Sequence, residues 1–231
     1  FAKWAMPQYI SPSSFILLRV GSGMVFFVVY YLFFSTERIK QKQDYWQLFI
    51  AAFFGVAFNM TAFFKGLSMT SSINASVLML MAPVFVVIFS AIGNKTPIKP
   101  IVYTGILIAF IGAALLVDVF HFSIDNNGLM GDILVMLNAT SYAYYLYFVA
   151  RLLKKYNAIT ITTFLFVFGF MMVLPIGVSD FVNIEWTSLP NKAIFSMTYV
   201  IIGVTILAYL MNAWALQNSN STTVGSYIYL Q

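Results

Sequence analysis

Long apolar runs separated by short polar breaks account for almost the whole chain. Windows at residues 13–34, 46–67, 71–93, 100–120, 129–150, 159–181 and 195–217 each approach the roughly 20 residues that a helix needs to cross a ~30 Å hydrocarbon layer. A short apolar stretch before Pro7 and the run from Thr222 to Gln231 read as parts of two further helices. Because the chain starts at Phe1 and stops inside an apolar run, it is expected to be part of a longer protein, and a signal peptide cannot be judged.

Composition agrees with that pattern. With 61% hydrophobic and 8% charged residues in 231, the chain cannot hide its apolar surface inside one soluble core. An all-α integral membrane protein is expected, with the lipid bilayer as its solvent. The absence of cysteine removes disulfides and thiolate metal sites.

The cations set an orientation. Arg38, Lys40 and Lys42, then Lys95 and Lys99, then Arg151, Lys154 and Lys155 fall in alternate breaks between apolar windows, whereas the opposite breaks hold His121, Asp125, Asp180, Glu185 and Lys192. The basic side is expected in the cytoplasm, in a bacterial-type inner (plasma) membrane. Spread over three loops, these cations do not form a nucleic-acid or lipid-binding patch, and the net charge of +5 needs no polyanionic partner.

Two polar breaks share a layout. Lys65-Gly-Leu-Ser-Met-Thr-Ser-Ser-Ile-Asn74 and Trp214-Ala-Leu-Gln-Asn-Ser-Asn-Ser-Thr-Thr223 lie 149 positions apart, with Leu67 over Leu216 and Ser72 over Ser221. Each ends one apolar run and opens another through residues that cap helix starts. Five membrane-length segments separate the copies, and an odd number inverts the second relative to the first. Inverted repeats of this kind are usual in alternating-access carriers; an ordinary pair of helical hairpins with polar turns is the other reading.

Several motifs then fall in order. Lys3, followed by Ser11-Pro12-x-x-Phe15-x-x-x-Arg19, precedes Gly66-Leu67-x-x-Thr70-Ser71, Ala75-Ser76 and Pro83-Val84-Phe85. Gly105, Gly112 and Leu116 come next, then Ser141-Tyr142-Ala143-x-Tyr145 with Arg151, then Ala208-Tyr209 and Ala215-Leu216. This series resembles the EamA branch of the drug/metabolite transporter superfamily. The resemblance implies a ten-helix carrier of two inverted five-helix halves that moves small metabolites, often amino acids, usually outward. Counted against ten helices, residues 1–120 would form the first half with its first helix incomplete, and 129–231 the second half, with the ninth helix incomplete and the tenth absent.

Polar residues inside apolar windows mark the candidate pathway, since burying them in lipid is costly. Asn59 shares a helix face with Gly55, Phe63 and Gly66; Asn138, Ser141, Tyr142 and Tyr145 form a stripe from which Tyr144 and Tyr147 point away; Thr205, Tyr209 and Asn212 form a third. Together they are expected to line a cavity for a small amphipathic molecule. Helix-to-helix hydrogen bonds and an interfacial tyrosine belt are the competing roles.

Lys3, Arg19 and Lys65 fall in the outer half of the membrane, near in depth to Asp118, Asp132 and Asp180. Structural ion pairs or snorkelling would explain them. The sharper expectation is that Arg19 or Lys65 meets an anionic group of the substrate. Pro83, in mid-helix, leaves the Met79 carbonyl without its donor and marks a bend or hinge. The small residues Gly105, Ala109, Gly112 and Ala113 form a close-packing face, for the tenth helix or for a homodimer.

No His/Asp/Glu cluster has metal spacing, no phosphate loop is present, and the intramembrane serines have no base partner. An enzyme, a metal site and a cofactor are therefore not expected, and any driving force would come from a gradient. Asp118 and Asp132 are the candidates for proton coupling. Two classes stay open: a secondary carrier for small metabolites, within which amino-acid carriers compete with multidrug exporters, and a non-transporting receptor or assembly subunit on the same scaffold.

Overall fold

The computed structural model describes residues 2–6, 8–95, 97, 100–116 and 127–227. Asp118, His121, Asp125 and Lys99 lie outside the described residues, as does the side chain of Lys3.

The described secondary structure is helical throughout, as an apolar solvent requires when backbone groups must pair within their own segment. Helix α1 (Ala2–Ala5) precedes α2 (Pro12–Phe34), whose start is set by Ser11: its Oγ accepts the Ser14 N–H at 3.2 Å, and Pro12 sits where no backbone donor is needed. Helix α3 (Lys42–Ala52) runs through a π-helical stretch, Phe53–Ala57, into α4 (Phe58–Met69), forming one span from Lys42 to Met69. Helices α5 (Ser72–Met79) and α6 (Ala82–Asn94) form the next span, broken at Leu80–Met81. Helix α7 (Pro100–Leu116) is followed by α8 (Asn127–Leu152) and α9 (Ala158–Val182). After a 3-10 turn at Trp186–Ser188, α10 (Asn191–Tyr199) passes through a second π-helical stretch, Val200–Leu207, into α11 (Ala208–Asn218). Helix α12 (Ser221–Ser226) closes the described chain. Among the described residues six spans are long and apolar enough to cross a membrane, and α7 adds a shorter apolar helix.

The expected windows match these spans to within a few residues at their described ends, residues 117–120 of the fourth window lying outside the described residues, and three interruptions appear inside them. One was expected: the helix breaks just ahead of Pro83, because a proline has no N–H for the Met79 carbonyl. The other two are the π-helical stretches, which periodicity does not reveal. At the paired turns, Ser71 Oγ accepts the Asn74 N–H at 3.0 Å, and Asn220 Oδ1 accepts the Thr223 N–H at 2.8 Å. Both caps fall at the 149-residue offset of the two turns. The π-helical stretches obey it too, since Phe53–Ala57 shifted by that offset lies within Val200–Leu207.

Helix α2 packs along α9, and α4 along α8, while α6 crosses α8, α12 rests on α6, and α1 on α10. Phe15, Phe27, Leu146, Leu165 and Phe166 form the centre of one continuous apolar core. One close crossing joins α4 to α8 at two glycines. A Cβ on Gly131 would stand 2.8 Å from the Gly66 carbonyl oxygen and 2.8 Å from the Thr70 nitrogen. Small residues at such crossings let backbones approach where lipid supplies no hydrophobic drive between helices. The small-residue face of α7 is different: a Cβ on Gly105 or Gly112 would meet nothing within 4 Å, so no described helix covers them.

Both ends of the bundle are tied by carboxylates. At one end Asp44, buried in the first turn of α3, accepts hydrogen bonds from Tyr156 Oη at 2.6 Å and Lys155 Nζ at 3.1 Å. Tyr156 Oη in turn accepts the Lys40 N–H at 3.2 Å, and Glu37 Oε2 accepts the Asn157 N–H at 2.9 Å. Burial, reinforced by the bond to Asp44, holds the Tyr156 hydroxyl above the usual tyrosine pKa. At the other end Asp180 accepts from Ser11, at 3.0 Å, and from Ser13. Buried Asp132 accepts from Thr70 and, at 3.3 Å, from Asn74. These carboxylates bind hydroxyls and an amide, so the ion pairs expected of Arg19 and Lys65 with Asp132 and Asp180 do not form among the described residues. Hydroxyl and amide donors satisfy a carboxylate without burying a second charge.

The glycine crossing leads to a stability prediction. Gly131→Ala must push α4 and α8 apart and is expected to cost roughly 1–3 kcal/mol, whereas Gly105→Ala should leave stability unchanged. Unfolding of the two variants in detergent micelles checks this; equal midpoints would remove the crossing as a stability determinant.

A polar seam between two helical irregularities

The candidate polar residues meet in the interior of the bundle, where α4 packs on α8 and where α11 reaches α8 and the first π-helical stretch. Asn59 and Asn138 pair reciprocally: Asn138 Nδ2 donates to the Asn59 carbonyl at 2.8 Å, and Asn59 Nδ2 donates to the Asn138 carbonyl at 3.3 Å. Both are buried, and Asn138 Oδ1 has no hydrogen-bond partner among the described residues.

One turn further along α8, the seam engages the first π-helical stretch. There the Phe58 N–H reaches back five residues to the Phe53 carbonyl. Where such a ladder slips back to the four-residue register, a carbonyl loses its intrahelical donor. The next carbonyl, on Phe54, accepts Ser141 Oγ at 2.6 Å. The one after it, on Gly55, accepts Tyr209 Oη at 2.9 Å. Gly55 is required here, because a Cβ would lie 2.4 Å from the Tyr145 ring. Tyr145 is buried beside half-buried Tyr142, their ring centroids 6.0 Å apart, and Asn212 Nδ2 donates to Tyr142 Oη at 2.7 Å.

The second π-helical stretch receives Arg19. Its side chain is 5% exposed, its Nε donates to Thr205 Oγ1 at 2.8 Å, and its guanidinium carbon lies 4.9 Å from the centre of the Phe64 ring. Phe64 packs on Phe15, and Tyr209, the donor to Gly55, packs on Phe166. Among the described residues Arg19 has no acidic partner. A buried cation without a carboxylate is costly, and Arg19 is the one buried cation among the described residues.

Seven of the expected residues, Asn59, Asn138, Ser141, Tyr142, Tyr145, Tyr209 and Asn212, therefore join one hydrogen-bonded and aromatic seam, with Arg19 close to its Tyr209 end. Phe63 is half-buried on α4 with its ring against Phe64, 5.1 Å away. Lys65 is exposed on the same helix and takes no part. Pro83 is buried at the α5–α6 break. Tyr144 and Tyr147 lie off the seam as expected, yet both pack on protein: Tyr144 against Phe54 and Phe89, and Tyr147 beneath the Arg151 guanidinium. Two contributors were not legible beforehand, the Phe54 and Gly55 carbonyls. Their only signal in the sequence is a glycine within each interrupted span, Gly55 and Gly203.

Comparison with known proteins places this architecture. A family model described as the EamA-like transporter family matches residues 1–118 and 129–231. An uncharacterized transporter of Archaeoglobus fulgidus is 25% identical over 98% of this chain and 83% of its own length. A second from that organism is 33% identical over 73% of this chain and 58% of its own length. The uncharacterized transporter YyaM of Bacillus subtilis is 26% identical over 87% and 67%. One crystal structure shares the fold, with a TM-score of 0.67 over 99% of this chain and 79% of that one at 15% identity. The chain is a multi-pass membrane transporter, and it belongs to the EamA-like transporter family.

Proposed function

We propose that this transporter carries small amphipathic metabolites, amino acids or related compounds, outward by alternating access, with Arg19 meeting the carboxylate. The observation that carries this reading is the buried guanidinium that has no acidic partner among the described residues, set beside an uncharged polar and aromatic seam. An Arg fork pairs naturally with a carboxylate, and the tyrosine and phenylalanine rings suit an apolar side chain. A multidrug exporter of cations would want a buried acid at this place, and the charge here has the opposite sign. Being exposed, Lys65 is the weaker of the two candidate cations.

The mechanism follows from the two interrupted spans and the offset they share. Residues 1–120 and 129–231 act as two inverted halves, so that an outward-opening movement in one has an inward-opening counterpart in the other. The break at Leu80–Met81 ahead of Pro83 is the hinge of the first gate, because it already lacks one helical hydrogen bond. The loops holding Arg38, Lys40, Lys154 and Lys155 face the cytoplasm, and the membrane is the plasma membrane. The carboxylate ties then close opposite ends, Asp44 inside and Asp132 and Asp180 outside.

Flux of labelled amino acids and their methyl esters into vesicles reconstituted with the full chain tests the substrate reading. Arg19→Gln is expected to reduce amino-acid flux by about tenfold or more, with ester flux little changed and Lys65→Gln close to the parent protein. Unaltered amino-acid flux in Arg19→Gln would exclude the carboxylate role. Pro83→Ala should slow the maximal rate severalfold while KM holds; unchanged kinetics would remove the hinge. The lack of cysteine allows a direct orientation test. In intact cells, a membrane-impermeant maleimide is expected to label a cysteine placed at Asn183 and to spare one at Lys154, and the reverse pattern would invert the topology.

A further inference from the structure

Arg19 is held by a hydroxyl in an unusual register. Thr140, Thr162, Thr163 and Thr198 each donate to the carbonyl four residues back, on Met136, Ala158, Ile159 and Ile194. Thr205 instead donates to the Val200 carbonyl, five residues back, at 3.0 Å. This follows from the π-helical winding of Val200–Leu207, in which the nearest carbonyl along the axis is the fifth rather than the fourth. The side chain is fully buried.

A threonine hydroxyl has one hydrogen. Once that hydrogen is committed to Val200, the lone pairs can only accept, and Arg19 Nε donates to them at 2.8 Å. Phe64 lies 4.9 Å from the guanidinium carbon on another side. The fork is thereby fixed at Nε and flanked by a ring, while its terminal N–H groups donate to no described residue.

We propose that Thr205 is the positioning residue of the substrate site: by accepting from Arg19 Nε it turns the terminal edge of the guanidinium toward the substrate carboxylate. This rests on the reading of Arg19 given above and adds the residue that makes its geometry specific. It also assigns a use to the π-helical stretch, since an ordinary α-helical turn would aim the hydroxyl at the fourth carbonyl and rotate it away from this position.

Two measurements on the full chain in lipid test it. The first is the exchange of arginine Nε–H with water, followed by 15N side-chain spectra. The chain has three arginines, Arg19, Arg38 and Arg151, and Arg19→Lys assigns the signal of interest. Slow exchange is expected for Arg19 Nε–H. Thr205→Val, which keeps the branched shape and removes the hydroxyl, should raise it to the rate of exposed Arg38, and Thr205→Ser should retain the protection. The second uses L-phenylalanine and its methyl ester as probes in reconstituted vesicles. Thr205→Val should raise KM for phenylalanine about tenfold with the maximal rate within about twofold, leave the ester unaffected, and be rescued by Thr205→Ser. If Arg19→Gln carries phenylalanine normally, the carboxylate reading fails; if Thr205→Val leaves Nε–H exchange slow, the positioning role itself is overturned.

Discussion

A backbone carbonyl inside a bilayer must find a donor within the protein, and this requirement organises the interior of the molecule. Regular helix meets it without help from side chains. Two spans abandon regular helix in their middles, and there side chains add donors to the backbone: Ser141 and Tyr209 donate to Phe54 and Gly55, and Thr205 donates to Val200. Because Phe54 and Gly55 lie early in the chain and their donors late, satisfying the backbone also joins distant parts of it. Arg19 makes the reverse connection, from α2 to the second irregular stretch. A local defect in helix winding thus becomes a long-range contact.

The polar seam is uncharged apart from Arg19, while the carboxylates sit at the ends of the bundle. That division follows from cost. Amides, hydroxyls and phenols can be satisfied by one or two neighbours in an apolar interior, whereas a carboxylate there needs several donors or a cation. Asp44, Asp132 and Asp180 obtain such donors from helix starts and loops, where serine, threonine, tyrosine and lysine are available. Arg19 is the exception, a buried cation bonded to the Thr205 hydroxyl and to no carboxylate among the described residues.

Much of the scaffold was legible as a row of apolar windows, and the break at Pro83 was readable because proline has no donor to give. The stripes of Asn59, of Asn138 with Ser141, Tyr142 and Tyr145, and of Tyr209 with Asn212 were readable because polar groups in a lipid-length run demand partners. Their pairing was not. Nothing in the spacing of Tyr209 says that its hydroxyl reaches Gly55, and nothing around Arg19 says that it finds Thr205 rather than Asp132 or Asp180. Lys65 looked equivalent to Arg19 as a charge inside a window, and burial separates them.

What the sequence determined by itself is the solvent: apolar runs of helical length, few charges, basic residues gathered in alternate breaks, and the offset that relates two polar turns. Those depend on composition and local order, which transfer energies act on directly. Only the tertiary structure decided which polar atoms satisfy one another, because each such choice depends on helix winding and crossing. A single residue of extra turn in Phe53–Ala57 or Val200–Leu207 changes which carbonyl is available and which face a hydroxyl presents. Periodicity averages over that difference, and packing does not.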